Sequence, residues 1–188
     1  MYRIASARPS DLERLPAIEL AAAALLVGHA PASVLAETTS HSEFDHARQA
    51  GHLWVALADE VPVGFAHVKI LEPAAAHLDE IDVHPEHGRR GLGRALVTAV
   101  CRWAEAGGYS WVTLTTFRDV RWNMPFYAGL EFEEIPREEI SPALQSVIAD
   151  EARRGLDPRR RVAMRRACVP PRVGPRDPES SAGGLPWR

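Results

Sequence analysis

Lysine is nearly absent from this chain. Lys69 stands alone among 22 basic residues, and the rest are arginine. With the abundance of alanine, that bias reads as the codon preference of a GC-rich bacterial genome. Acidic residues outnumber basic ones, 25 to 22, and the formal net charge of −3 argues against broad binding to nucleic acid or to an anionic membrane. Cysteine is scarce too. Cys101 and Cys168 offer no disulfide framework and no metal-ligand spacing, so free thiols in a reducing cytoplasm are expected and no metal is. Long apolar runs are missing: Leu20 to Val27 is far too short to span a bilayer, and Met1-Tyr2-Arg3 opens without the apolar region of a leader. What remains is the composition of an ordinary soluble domain, 46% hydrophobic and 25% charged over 188 residues, enough to bury a core without staples.

The most informative stretch is His84-Pro85-Glu86-His87-Gly88-Arg89-Arg90-Gly91-Leu92-Gly93-Arg94-Ala95-Leu96. It follows the strand-like run His77-Leu78-Asp79-Glu80-Ile81-Asp82-Val83 and leads into a helical pattern. Glycines let the backbone curl so that successive N–H groups face one concavity, and a helix N-terminus adds about half a positive charge. Arg89, Arg90 and Arg94 bring guanidinium groups to the same region, so a diphosphate is the natural ligand. The spacing excludes two familiar phosphate loops. A P-loop needs Lys-Ser/Thr after its last glycine, whereas Arg94-Ala95 follows Gly93; a dinucleotide fingerprint needs G-x-G-x-x-G, whereas the chain has Gly88-x-x-Gly91-x-Gly93. A plain glycine-rich turn with exposed arginines is the alternative.

A second segment adds to the first. Thr113 to Phe117 reads as a β-branched strand, and Trp122-Asn123-Met124-Pro125-Phe126-Tyr127-Ala128-Gly129-Leu130-Glu131-Phe132 follows a short loop. Asn123 suits an N-cap and Pro125 a first helical turn. Around these motifs the chain suggests a first strand at Tyr2 to Ala5. A helix from Ser10 to about Val27 follows, with Ser10 and Glu13 in capping-box spacing, then a loop over 28–40 and a helix from Ser42 to Gly51. Strands Leu53 to Ala58 and Val63 to Leu71 flank the turn Asp59-Glu60-Val61-Pro62. After Gly91, Leu92, Leu96, Ala99, Val100 and Trp103 form one helical stripe, stopped by Gly107-Gly108. Ser141 to Arg154 is a further helix before the strand Arg161 to Arg165.

Together these features resemble the GNAT N-acetyltransferase family. Its pyrophosphate loop reads R/Q-x-x-G-x-G/A, and its later helix ends in a pattern like F-Y-x-x-L-G-F. Here Gly88 replaces the family's Arg or Gln, Glu131 replaces its glycine, and Val120 stands where its asparagine usually lies; Asn123 is the nearest asparagine. The resemblance implies an α/β (α+β) fold, a central, mostly antiparallel twisted sheet of six to seven strands with helices on both faces. It implies one domain over 1–167; the helix-like stretch near 137–159 reads as an insertion that departs from the simplest version of the family, and the Pro-, Gly- and Ser-rich composition of the end predicts a disordered tail at 168–188. It further implies acetyl-CoA as cosubstrate, with Ile81 and Val83 contacting its pantetheine arm through their backbone, and Arg89, Arg90, Gly91, Leu92, Gly93 and Arg94 around the diphosphate, with Asn123 nearby. Direct attack by a primary amine of a small molecule, amino acid or peptide N-terminus needs a base and a proton for the departing thiolate. Tyr127 resembles the family's proton donor. Glu80 is the first candidate for the base, with Asp79, His77 and Glu43 behind it; alternation places Asp79 and Glu80 on opposite faces of their strand. A catalytically idle CoA-binding sensor is the competing reading. Dimers are common among relatives, but no residue here establishes one. The arginines at 159–161 and 165–166 either attract an acidic substrate or form a solvated edge strand.

Overall fold

A computed structural model of the chain describes residues 1–168, so the tail expected over 168–188 lies, Cys168 apart, outside the described residues. Asp59 and Glu60 both take positive φ, 46° and 70°, the backbone that a two-residue hairpin needs to match the twist of its strands. This turn is tighter than the four-residue one expected. It joins β2 (Leu53–Ala58) to β3 (Val61–Glu72), with β1 (Tyr2–Ser6) outside β2 and β4 (Ala75–Val83) beyond β3. With β5 (Trp111–Phe117), β6 (Glu133–Glu134) and β7 (Arg161–Ala167) the strands form one seven-stranded sheet, ordered β1-β2-β3-β4-β5-β7-β6. Every pairing is antiparallel except β4 with β5.

Helices cover both faces. On one lies α1 (Leu15–Ala23), followed in the chain by the short α2 (Ala32–Leu35) and by α3 (His41–Gln49). The single helix expected from Ser10 is broken instead into a 3-10 turn at Pro9–Arg14, α1, and a second 3-10 turn at Ala24–Leu26. Pro16, which has no N–H to donate, starts α1 afresh within its first turn. Ser10 caps nothing; the Asp11 carboxylate accepts from the Arg8 N–H at 2.8 Å and does that work. The loop expected over 28–40 holds α2. Leu15, Ile18 and Phe44 pack against Leu53, Val55 and Phe65, with Phe44 edge-on to Phe65 at 5.3 Å between centroids.

The other face carries α4 (Leu92–Ala106) and α5 (Asn123–Ala128). Leu92, Leu96 and Val100 of the expected stripe are buried, but Val97, Cys101 and Ala104 join them, while Ala99 and Trp103 stand at the margin. Trp103 has partners there, meeting Trp54 at 5.3 Å and Tyr109 at 5.3 Å. Because both faces are covered, β2 and β3 read as nearly continuous apolar runs rather than clean alternation. Cys168, expected in a tail, is buried in this core.

Between β6 and β7 runs α6 (Pro142–Arg153), N-capped by Ser141, whose hydroxyl accepts from Leu144 N–H. Glu151 of α6 accepts from Arg161 Nε at 3.0 Å and Nη2 at 2.7 Å, and Thr115 of β5 donates to the same carboxylate. That partly buried ion pair docks α6 on the sheet. β7 is an interior strand rather than a solvated edge, and the arginines in it and in the turn before it are paired within the chain. Arg160 meets Asp119, Arg165 meets Glu133 and Glu139, and Arg166 meets Glu105 and Glu131.

Candidate active site

Strand β4 builds the site by leaving its neighbour. It pairs with β5 only from Ala75 to His77, against Trp111 to Thr113. β5 is bonded to β7 along its whole length on its other edge, and past His77 β4 and β5 no longer pair, so among the described residues Leu78–Val83 have no strand partner on that side. The main-chain groups along this edge are free to meet an extended ligand. Ile81 and Val83 turn their side chains into the α4 core. Only their backbone is left to face the opening.

A β-bulge sets which carboxylates enter the cleft. The β3–β4 register shifts between His67, paired with Glu80, and Val68, paired with Leu78, leaving Asp79 as the extra residue. Two residues then oppose one, and alternation fails locally. Asp79 and Glu80 therefore do not part to opposite faces as expected. Both reach the face covered by α1 and α3, with Asp79 beside Lys69 and His67 and Glu80 toward Glu19. The backups for the base are placed elsewhere: Glu43 pairs with Lys69 at 2.9 Å, and buried His77 shares a 3.0 Å hydrogen bond with Thr113.

Glu80 is flanked by two other carboxylates. Thr39 O–H donates to Glu80 Oε2 and Glu19 Oε1, both at 3.2 Å, and Thr39 N–H donates to the two Glu19 oxygens at 3.0 and 2.9 Å. Burial, with repulsion from Asp82 and Glu19, pushes the Glu80 carboxyl up to about 10. Asp82 is raised to about 7 by burial and by Glu19, while a hydrogen bond from Glu80 pulls it back. The ordering follows from position: the middle acid of three faces two like charges and holds the proton hardest. Burial raises Glu19 as well.

Glu19, Glu80 and Asp82 line a cavity of about 150 Å³ at the mouth of the splay. Its apolar walls include Leu26, Val34 and Leu35 from the α1–α2 region, Phe117 at the end of β5, and Leu156 beyond α6. Glu37 and Arg154 pair at its rim and tie the segment after α2 to the end of α6. A larger hollow of about 370 Å³ lies between α4, the segment after α5 and β7, lined by Arg94, Glu131 and Arg166 among others.

The glycine-rich loop closes the other end of the cleft. Gly91 N-caps α4 with φ +79°, a left-handed backbone that any side chain would strain, although a Cβ there would meet nothing within 4 Å. Gly93 packs on Phe126, which a Cβ would approach at 3.4 Å. The first main-chain bond into the helix is Ala95 N–H to Gly91 C=O, at 2.9 Å. No backbone acceptor meets the N–H groups of Arg89, Arg90, Gly91, Leu92, Gly93 or Arg94 among the described residues. The guanidinium groups do not converge as expected. Arg90 lies over the Tyr2 ring at 5.7 Å and Arg94 Nη1 donates to Gly129 C=O at 3.0 Å, leaving Arg89 exposed beside the loop. The Arg94 contact joins α4 to the end of α5.

Tyr127 of α5 is half-buried, and its pKa is raised by burial and by the nearby Asp82 charge. Its hydroxyl therefore stays protonated. Asn123 does not cap α5, where Trp122 holds the cap position; its Nδ2 donates to Thr116 Oγ1 at 3.0 Å and ties α5 to β5. Sequence reasoning missed Asp82, Glu19, Thr39, Glu37 and Arg154 as site residues. The one cue to Glu19 was an acid inside the apolar run Ala17-Ile18-Glu19-Leu20-Ala21.

The site thus combines a splayed β4–β5 pair, a helix opening in N–H groups free of backbone acceptors, and a carboxylate-lined cavity. The model of the acetyltransferase (GNAT) family matches residues 21–132, and the chain belongs to that family. A mycothiol acetyltransferase of Salinispora arenicola is 47% identical over 51 residues, 27% of this chain and 17% of that protein. One from Streptomyces avermitilis is 36% identical over 98 residues, 44% of this chain and 31% of that protein. The chain thus spans well under half the length of these curated relatives. Among solved structures, PaiA N-acetyltransferase from Thermoplasma acidophilum, in complex with coenzyme A, matches with a TM-score of 0.70 at 18% identity, covering 89% of this chain and 99% of that one. Rv2747 from Mycobacterium tuberculosis, in complex with CoA and NLQ, gives 0.62 at 20% identity, covering 89% and 99%. These likenesses establish the fold. Among the described residues no helix is long and apolar enough to cross a membrane.

Proposed function

We propose that this chain is an acyl-CoA-dependent N-acetyltransferase that passes the acetyl group of acetyl-CoA to a primary amine of a small molecule, an amino acid or a peptide N-terminus by direct attack. One observation carries the reading: the unpaired β4 edge runs from the free N–H groups of the loop to the carboxylates of the cavity. The diphosphate of the cosubstrate suits the N–H groups of residues 89–94 and the exposed Arg89. Its pantetheine arm suits the main chain at Ile81 and Val83, in the manner of an added strand. Acetyl-CoA supplies the thioester, and the chain supplies the proton handling.

Burial and the two flanking carboxylates favour the protonated form of Glu80, which argues against it as the base first expected. Asp82, raised to about 7, is the better one: near that pH it is half ionised and basic enough to relieve an ammonium of its proton. Glu80 then acts beside it as a donor that fixes the Asp82 carboxylate, with Glu19 and Thr39 behind. As the amine nitrogen bonds to the carbonyl carbon and the C–S bond breaks, Tyr127 is the group that gives the thiolate a proton. Asn123 positions it by anchoring α5. The helix α6, docked by Glu151 and Arg161, walls the acceptor side through Arg154 and Leu156.

The test is release of free thiol from acetyl-CoA with a panel of amines, comparing wild type with Asp82→Asn. Loss of roughly 10²- to 10⁴-fold in turnover, with acetyl-CoA affinity retained, is the expected result for removal of a general base. Wild-type turnover in the variant would move the base elsewhere. Binding without thiol release from any amine would make the chain a CoA-binding sensor.

A further inference from the structure

On the sheet face away from the loop, Asp79, the residue pushed out by the bulge in β4, meets His67 of β3 and Glu43 of α3. One donor atom from each of the three lies within 4.8 Å of the others. His67 is 3% exposed, and its Nδ1 is the one buried side-chain polar atom without a hydrogen-bond partner among the described residues. It lies 3.6 Å from Asp79 Oδ2, too far for a hydrogen bond and aimed at the two carboxylates. The position already draws a cation: Lys69 Nζ bridges Glu43 Oε1 and Asp79 Oδ2 at 2.9 Å each. The Lys69 ammonium makes no hydrogen bond to the imidazole, whereas a metal ion would take all three donors at once.

We propose that Glu43, His67 and Asp79 form a site for a divalent transition-metal ion of the zinc type, in exchange with the Lys69 ammonium. One imidazole and two carboxylates, with water in the fourth position, is a donor set for zinc or cobalt rather than for magnesium. Bonds of about 2.0–2.2 Å in a tetrahedron bring donors to about 3.5 Å of one another. The contraction falls on side chains with room to move, since Glu43 is 45% and Asp79 26% exposed. Lys69, 43% exposed on a flexible stem, swings out to water. The bound ion would staple α3 to the two strands beneath it. No sequence motif announced the site because the ligands come from three separate elements.

The experiment is calorimetric titration of the full, chelator-treated chain with ZnCl2, with MgCl2 as the hard-cation comparator. CoCl2 is added as an optical probe, because tetrahedral cobalt absorbs strongly in the visible. His67→Ala would open a hole beside Phe44, so the variants are Asp79→Asn and Lys69→Ala. One zinc per chain is expected, with magnesium silent and a tetrahedral cobalt spectrum. Asp79→Asn should weaken zinc by more than the roughly 10- to 100-fold that loss of an outer-shell partner costs, and Lys69→Ala should tighten it. Absence of zinc binding in both wild type and Lys69→Ala overturns the site. So does zinc affinity that Asp79→Asn leaves unchanged, which would place the ion on other surface histidines.

Discussion

Replacing Glu80 by glutamine should make the protein more stable, and increasingly so as the pH rises. The Glu80 carboxyl goes from 4.5 in the unfolded chain to about 10 in the fold, chiefly by burial and then by the Asp82 and Glu19 charges. A carboxyl whose folded pKa is raised contributes stability that is whole below pH 4.5 and is lost as the pH climbs toward about 10. Within that window the native state holds a proton that the unfolded chain has released, and each pH unit costs about 1.4 kcal/mol. The native acid therefore costs below about 1 kcal/mol at pH 5 and about 3 kcal/mol at pH 7. Glutamine keeps the shape and the neutrality without taking up a proton, and its amide N–H groups find acceptors in Glu19 and Asp82. Urea unfolding followed by tryptophan fluorescence at pH 5, 7 and 9 measures the difference. Glu80→Gln should gain little at pH 5, about 3 kcal/mol at pH 7 and more at pH 9. A gain that is the same at pH 5 and pH 7, or a loss at pH 7, refutes the reasoning.

Other substitutions probe the cleft. Because Asp82 lies near 7, kcat/KM should rise about tenfold from pH 5.5 to 6.5 and level off above 7.5, and Asp82→Asn should flatten that limb in a thiol-release profile. Gly91→Ala meets empty space but holds φ +79°, so it should cost about 1–2 kcal/mol in thermal or urea unfolding. Gly91→Asp adds a negative charge facing the diphosphate and should weaken acetyl-CoA far more than Gly91→Ala does, as read by calorimetry. Tyr127→Phe should lower kcat and leave the acetyl-CoA affinity in place; equal turnover in both forms would assign the residue to packing. Gly64→Ala drives a Cβ to 2.7 Å from Asp82 C=O and should push β3 from β4, lowering stability and turnover together.

The residues with rigid local chemistry were legible before the fold was seen. Gly91 and Gly93 marked the loop, Tyr127 its neighbouring helix, and the 3.6-residue period gave α4 to within one stripe. Those signals are local, since a left-handed glycine or an apolar face is written into a few adjacent positions. The proton network was not legible, because it depends on long-range register. Asp79 and Glu80 share a face only through a bulge opposite His67, which no alternation pattern reports. Glu19 joins Glu80 from 61 positions away by way of Thr39. Arg94 looked like a phosphate ligand by spacing, yet tertiary packing turned its guanidinium to Gly129. Asn123 looked like a cap, but α5 starts one residue earlier than a cap there requires, so Asn123 sits inside the first turn, where its Nδ2 donates to the Thr116 hydroxyl of the adjacent strand.

The most direct test of the central claim is calorimetric titration of the wild-type chain with acetyl-CoA and CoA, with ADP and ATP as comparators. Nucleotides share the diphosphate but lack the arm that would pair with the β4 edge. One CoA compound bound per chain, with ADP and ATP much weaker, is the expected result. Equal binding of ATP, or no binding of acetyl-CoA, would contradict it.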